Sequence, residues 1–206
     1  MIDPVRYIGN YSSGKMGFAI AEHLAHLGAK VILVTGPVEI KCMNSNIFRI
    51  NILSAVEMQE QCLKHFENCD GAIMVAAVAD FAPVVTETRK IKRTSANYFI
   101  ELRPNPDIAS GLGKIKRKNQ VLVGFALETN NEEQNALTKL QKKNLDFIVI
   151  NSLRDSGAGF QHDTNRIKIL DKNGIVQTFE LKLKSEVAVD IVNKMIEIEG
   201  EITERF

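Results

Sequence analysis

Apolar residues in this chain recur at two spacings, and the switches between them outline the fold. From Gly14 to Leu27 apolar positions fall on one helical face and stop at Gly28, as for an amphipathic helix with a glycine terminator. Lys30 to Val34 (Lys-Val-Ile-Leu-Val) is a continuous apolar run broken by Gly36-Pro37, the mark of a buried strand. Phe48 to Leu53 predicts a second strand. Ser54 then caps a helix running to Phe66, with Glu57 at the capping-box position. Gly71 to Val78 predicts a third buried strand. Residues 81–97 are irregular and basic, and Tyr98 to Leu102 is a short strand. Pro106 to Ile115 predicts a short helix, with Asn105 as its cap and Pro106 in its first position. A strand over Val121 to Ala126, a charged helix over Asn131 to Lys143 and a strand over Asp146 to Asn151 continue the alternation. The tail differs: Arg166 to Leu170 and Val176 to Leu181 flank Asp171-Lys172-Asn173-Gly174, a hairpin signal, and Ser185 to Glu197 is a closing helix. This order predicts an α/β fold over residues 1–206 as one domain. It is three-layered and Rossmann-like, with a mostly parallel sheet and an antiparallel hairpin near the C-terminal end.

Composition narrows the picture by exclusion. The 206 residues are 45% hydrophobic and 25% charged, enough for a substantial core. A net charge of +1 gives no overall pull toward nucleic acid or membrane. No apolar run approaches the roughly 20 residues that span a bilayer, and the first residues carry no signal-peptide pattern. The expectation is a cytoplasmic protein with no nucleic-acid or membrane partner. Cys42, Cys62 and Cys69 are an odd number without metal-site spacing, as for reduced thiols.

The chemistry concentrates first in Gly9-Asn-Tyr-Ser-Ser-Gly-Lys-Met-Gly-Phe18. This polar, glycine-flanked loop runs into a helix. Unpaired amides and partial positive charge gather at a helix N-terminus, so it can seat a phosphate. Gly9-x-x-x-x-Gly14-Lys15 matches most of a P-loop, but Met16 stands where a Ser or Thr should bind Mg²⁺. Tyr11 and Lys15 have the spacing of the short-chain dehydrogenase pair, yet no upstream GxGxxG exists. The bland alternative is a Ser-capped helix start that holds nothing.

Other segments offer complementary chemistry. Met74-Val-Ala-Ala-Val-Ala-Asp80 is a strand end of small residues closed by an aspartate, and ligands of open α/β sheets bind beyond such ends. A turn-forming Asp explains it equally. Arg89-Lys90-Ile91-Lys92-Arg93 is either a solvated charge run or a phosphate-binding flap. Gly113-Lys-Ile-Lys-Arg-Lys118 reads as a solvated helix end. Asn105-Pro-Asp-Ile108 provides another helix start for an anion. Lys139 and Lys143 share one helix face, at the surface or over a nucleotide. His23, His26, His65 and His162 form no metal-like cluster, and no Ser-His-Asp arrangement is legible.

Together these segments resemble phosphopantothenate–cysteine ligase, the second half of the bacterial bifunctional coenzyme A biosynthesis flavoprotein. The resemblance rests on Ile2-Asp-Pro-Val-Arg6, Asn10-Tyr-Ser-Ser-Gly-Lys-Met-Gly17, Ala76-Ala-Val-Ala-Asp80, Lys90-Ile-Lys92, Asn105-Pro-Asp-Ile108 and Val123-Gly-Phe-Ala-Leu-Glu-Thr129. Lys143-Asn-Leu-Asp146, Asn151 and Gly159-Phe160 extend it. It implies ligation of cysteine to 4′-phosphopantothenate with CTP, through an acyl-cytidylate, with Mg²⁺ on the triphosphate. It assigns Asn10 and Lys90 to catalysis, and Arg6 with Asn10 to the acyl substrate. Phosphate and base contacts fall to Ser12, Gly14, Met74, Val75, Ala76, Asp80, Lys90, Pro106, Asp107, Ile108, Ala109, Phe125, Lys139 and Lys143. Asp80 would accept from the exocyclic amine of cytosine. The resemblance also implies a homodimer, with the hairpin near Asn173-Gly174 as a contact, and association with a flavin-dependent phosphopantothenoylcysteine decarboxylase. The alternatives are a nucleotide-binding module without catalysis and a nicotinamide-dependent oxidoreductase.

Two departures from the family pattern carry expectations. Position 9 is Gly where Ser or Thr is common, a small change in the loop. Family members have a strand and a glycine-rich turn just before Ile2-Asp3-Pro4. That strand would lie mid-sheet, so a chain read from Met1, as a truncated form, is expected to expose apolar strand edges.

Overall fold

The computed structural model describes residues 1–93, 97–128, 131–152 and 162–203. Helix α1 (Lys15–His26) leads into strand β1 (Val31–Thr35), which lies parallel to β2 (Ile47–Asn51). Helix α2 (Ala55–Phe66) follows, and its start shows why the sequence there is helical. Ser54 Oγ accepts from the Glu57 amide at 3.2 Å, and the Glu57 carboxylate accepts from the Leu53 amide at 2.9 Å. Two orphan amides are thus satisfied, the second one residue earlier than in the usual capping box.

Strand β3 (Gly71–Met74) opens the main sheet and stops short of the expected Val78. Its ladder with β6 (Val121–Glu128) ends at Met74 opposite Gly124, and the chain then turns away. The stretch expected to be irregular contains β4 (Phe81–Pro83), antiparallel to β5 (Leu102–Pro104). Tyr98 to Glu101, expected in a strand, precede that ladder. Helix α3 (Ile108–Ile115) is capped by Asp107, two residues later than the predicted Asn105. Asn105 is committed elsewhere: its side chain donates to Ala79 O at 2.8 Å and its amide to Asp80 O at 2.8 Å. Helix α4 (Glu132–Lys142) and strand β7 (Phe147–Ser152) fall where the pattern places them.

After β8 (Thr164–Asn165), β9 (Ile167–Asp171) and β10 (Val176–Thr178) form the predicted hairpin, with Val176 opposite Leu170. Asp171 accepts from the Asn173 and Ile175 amides, and Gly174 takes the positive φ of 81° that the turn requires. Strand β11 (Lys182–Leu183) pairs with β8, and α5 (Lys184–Thr203) runs past the expected Glu197.

The main sheet has the order β10-β9-β7-β6-β3. Strands β3, β6 and β7 are parallel, and β9 and β10 are antiparallel additions. Alternate residues of its strands face opposite layers. Val121, Val123, Phe147 and Val149 pack with Ile191 and Val192 of α5 and Ile20 of α1. Leu122, Ile148 and Ile150 pack with Leu112 of α3 and Ala136 and Leu140 of α4. The three layers follow from this two-sided burial, each fully buried aliphatic side chain contributing about 1.5–3 kcal/mol. Strands β1 and β2 form a separate ladder. Among the described residues β1 pairs with β2 and β3 pairs with β6, so each has one edge outside any ladder.

One local feature departs from its reading. The Gly113-Lys-Ile-Lys-Arg-Lys118 run is not uniformly solvated. Lys116 Nζ donates to Asp146 Oδ2 at 2.8 Å, and both side chains are nearly buried, at 9% and 7% exposure. The same Asp146 oxygen accepts from the Leu122 amide at 2.8 Å. The pair thus ties the loop after α3 to the start of β6 and β7.

Candidate active site

A cleft of about 1750 Å³ runs between β1 and β3 and is lined also by α1, α2 and α5; four parts of the chain meet in it beyond the end of β3. The first is the N-terminal loop. Asn10 Nδ2 lies 3.3 Å from both Ala77 O and Val78 O, so the loop rests against the segment that follows β3. Gly14 holds a left-handed φ of 77° and begins α1 with no side-chain cap. Ser12 Oγ accepts from the Gly14 amide itself at 3.4 Å. The N-cap position of α1 is thus a glycine rather than the expected serine, and the first turn of the helix lies at the cleft wall. Gly14→Ala is expected to destabilise the protein by about 1–2 kcal/mol, because a Cβ is strained at this φ. That Cβ would also stand 3.2 Å from Val38 Cγ1. Unchanged urea unfolding would contradict this.

The second part is the stretch from Met74 to Asp80. Met74, Val75, Ala76 and Asp80 all line the cleft. The bend is held by the Val78 amide donating to Ala76 O at 2.9 Å and by the two Asn105 bonds, and it leaves Ala76 and Asp80 exposed. Small side chains let a flat ring approach the backbone here.

The third part is the start of α3, where Pro106, Asp107, Ile108 and Ala109 reach the cleft. Asp107 Oδ1 accepts from the Ser110 amide at 3.0 Å and from Lys143 Nζ at 3.0 Å. Burial works against the Asp107 carboxylate, but that amide and Lys143 together hold its pKa below the ordinary value. Lys143 is brought within reach by the close approach of Gly113 to the Lys143 carbonyl, where a larger residue would collide, and by Asn144 donating to Gly113 O at 2.9 Å. Lys139, one turn earlier, and Phe125 of β6 complete this wall. The fourth part is the Met1 and Thr86 rim.

Two predicted residues stand outside the lining. Arg6 does not line the cleft; its guanidinium binds Asp3 Oδ2 through Nε at 3.0 Å and Nη2 at 2.5 Å, and Nη2 also donates to Ile91 O at 2.9 Å. Lys90 is exposed beside that contact and likewise outside the lining. In the structure the Arg6 guanidinium contacts the buried Asp3 carboxylate and the Ile91 carbonyl, and its side chain stays about half exposed. Sequence reasoning missed Asp3, although Asp-Pro with Arg three residues on is a turn signal that could have found it.

The dehydrogenase pair does not assemble. Tyr11 is 87% exposed and off the cleft, while Lys15 pairs with Asp163 at 2.6 Å, lowering the Asp163 pKa. The partly buried Lys184 ammonium is disfavoured by burial and by Lys15. Burial pushes the Cys62 thiol up to about 11, which makes it a poor nucleophile at neutral pH. Among the described residues no three His, Cys, Asp or Glu side chains could hold a metal ion together, and no helix is long and apolar enough to cross a membrane.

Residues 1–198 match the family described as the DNA/pantothenate metabolism flavoprotein C-terminal domain. The chain belongs to this family. A Haemophilus influenzae relative, coenzyme A biosynthesis bifunctional protein CoaBC, is 44% identical to this domain over 95% of the chain and 48% of its own length. A relative from an unknown prokaryotic organism, named cysteine/cysteine sulfinic acid decarboxylase, is 56% identical over 95% of the chain and 54% of its own length. The chain thus spans about half the length of the curated relatives it matches. The solved C-terminal domain of a CoaBC protein superposes with a TM-score of 0.80 at 38% identity, covering 98% of this chain and 90% of that one. The fold of this flavoprotein C-terminal domain is therefore the fold of the chain.

Proposed function

We propose that this domain ligates cysteine to 4′-phosphopantothenate in coenzyme A biosynthesis, with CTP as the activating nucleotide. The observation that carries the reading is the cleft: an uncapped helix start, a small-residue bend ending in Asp80, a second helix start and two lysines converge on one space. Membership in a family with CoaBC relatives supports the same substrates.

A carboxylate does not react with an amine until one of its oxygens joins a good leaving group. In the first step the phosphopantothenate carboxylate attacks the α-phosphorus of CTP, and pyrophosphate leaves. In the second the cysteine amine attacks the acyl carbon, loses its proton, and CMP departs. The residues act by placement and by stabilising charge. Cytosine would lie along Met74, Val75 and Ala76, its amine donating to Asp80. Ser12 and the amides after Gly14 would hold one phosphate. The Ile108 and Ala109 amides would hold another, with Lys139 and Lys143 offsetting the Asp107 charge. Phe125 would close the wall, and Asn10 would bridge the acyl-phosphate region to the bend at Ala77 and Val78. Lys90 would neutralise charge on the triphosphate as phosphorus is attacked. Mg²⁺ would enter with the nucleotide substrate and offset the charge of its triphosphate.

A cytoplasmic homodimer belongs to the same proposal. The chain around β4 and β5 exposes Val85, Tyr98 and Phe99, which offers more apolar contact area than Ile175 and Val176 at the hairpin. Association with a decarboxylase half would match the bifunctional relatives.

The test is pyrophosphate release with CTP or ATP, omitting phosphopantothenate or cysteine in turn. The expected result is CTP-dependent release that requires phosphopantothenate, with final product requiring cysteine. Bound CTP without turnover would reduce the domain to a binding module. Hydride transfer from a nicotinamide, or carbon dioxide released from cysteine without nucleotide, would replace the reading.

A further inference from the structure

The most heavily bonded carboxylate in the described chain belongs to a residue outside the cleft. Asp3 is fully buried. Its Oδ1 accepts from the Val5 amide at 2.8 Å and the Arg6 amide at 2.9 Å, which closes a tight turn. The Ile2 amide donating to Arg6 O at 2.8 Å completes that turn. Its Oδ2 faces the other way. It takes the Arg6 guanidinium and, at 3.1 Å, the amide of Ile91, 88 residues further along the chain. Arg6 returns a bond to the carbonyl of the same Ile91. Both backbone groups of Ile91 are therefore held by one Asp-Arg pair.

The neighbouring contacts run in register with this one. Thr86 Oγ1 donates to Met1 O at 3.0 Å, and the Glu87 amide donates to Ile2 O at 2.9 Å. The segment from Thr86 to Ile91 is thus laid along the first six residues, from the cleft rim at Met1 and Thr86 to the clasp at Ile91. Lys90 precedes the clasped residue and is itself exposed. A lysine on a long stem is a mobile point charge, and fixing the backbone beside it lowers the entropy lost when it meets an anion.

We infer that Asp3, acting through Arg6, is a positioning residue: the pair clasps Ile91 and so fixes the backbone that carries Lys90, from which the long lysine side chain reaches the nucleotide phosphates when nucleotide is bound. The catalytic half of this statement rests on the ligase reading, whereas the clasp itself does not. In this role the Arg6 guanidinium acts through the backbone of Ile91.

The two oxygens of Asp3 do separate jobs, which makes the test selective. Asp3→Asn keeps an acceptor for the Val5 and Arg6 amides. It presents an amide group where Arg6 and Ile91 need an acceptor, so the turn survives and the clasp opens. Arg6→Lys keeps the charge but replaces the planar fork with a single ammonium. Amide hydrogen exchange of the whole chain, read at Ile91, is expected to speed up about tenfold or more in Asp3→Asn, as for loss of a charge-assisted bond. In the same variant kcat for pyrophosphate release should fall about tenfold or more while KM for CTP stays within about threefold, because Lys90 acts on attack rather than on ground-state binding. Arg6→Lys should fall between wild type and Asp3→Asn on both readouts. Unchanged exchange at Ile91 with normal folding would overturn the clasp. Faster exchange with unchanged kcat would overturn the positioning role. Loss of exchange protection throughout the chain would assign Asp3 to the fold instead. If the wild type releases no pyrophosphate under any combination, the ligase reading and the catalytic half fall together, while exchange at Ile91 still decides the clasp.

Discussion

Lys90→Ala is expected to cut pyrophosphate release from CTP on the order of 10²–10³-fold while leaving the fold unchanged. Lys90 is exposed, so truncating it removes no packing and leaves no buried partner unsatisfied. The loss should appear in kcat rather than in KM, since charge on the transferring phosphate oxygens grows during attack by the carboxylate. CTP should still bind through the bend at Met74 to Asp80 and the two helix starts. Replacement by Arg retains the charge but not the reach or the compact head, and should recover only part of the rate. Exchange at Ile91 should be normal in Lys90→Ala, which separates removal of the amine from release of its backbone. Near-normal turnover would remove Lys90 from the mechanism.

The largest effect on stability is expected at Asp146. Asp146→Ala should cost about 3–5 kcal/mol, because it leaves the nearly buried Lys116 ammonium without its carboxylate. It also orphans the Leu122 amide at the start of the central strand β6. Lys172, 3.8 Å from the other carboxylate oxygen, is partly exposed and adds little. Urea unfolding should show a lowered midpoint with an unchanged slope. Pairing Asp146→Leu with Lys116→Met should restore the part of the loss that comes from the unpaired charge and leave the part that comes from the Leu122 amide. A cost under about 1 kcal/mol for the single variant would mean that water already reaches Lys116.

The sequence reveals the fold best where burial is two-sided and periodic. The runs at Lys30 to Val34, Val121 to Ala126 and Asp146 to Asn151 lie within a residue or two of their strands, because continuous apolar stretches have few alternatives. The hairpin at Asp171 to Gly174 was legible from turn chemistry. Reading fails where distant partners decide. Asn105 looks like a helix cap until Ala79 and Asp80 claim its side chain and amide, which passes the cap to Asp107. Lys116 looks like a solvated cation until Asp146, 30 residues away, buries it. The pairing of β4 with β5 joins segments whose own patterns are weak. The same division holds for the site. Loop, bend, helix start and lysines were each legible and meet at one cleft. The commitment of Arg6 to Asp3 was not, because spacing does not show which of two nearby acceptors a guanidinium takes.

The separate β1–β2 ladder has a mechanical consequence. Backbone ladders resist shear because many hydrogen bonds must break together, whereas packed side chains can slide by small steps. The wall formed by β1 is tied to the wall formed by β3 through α1 packing on α5 and α2 packing on α3, with no ladder between the two strands among the described residues. Among the described residues these two strands are therefore coupled through side-chain packing, the softer of the two couplings. A nucleotide that touches α1 on one side and the bend after β3 on the other would act as a cross-brace. Its binding should stiffen the whole molecule rather than the cleft alone.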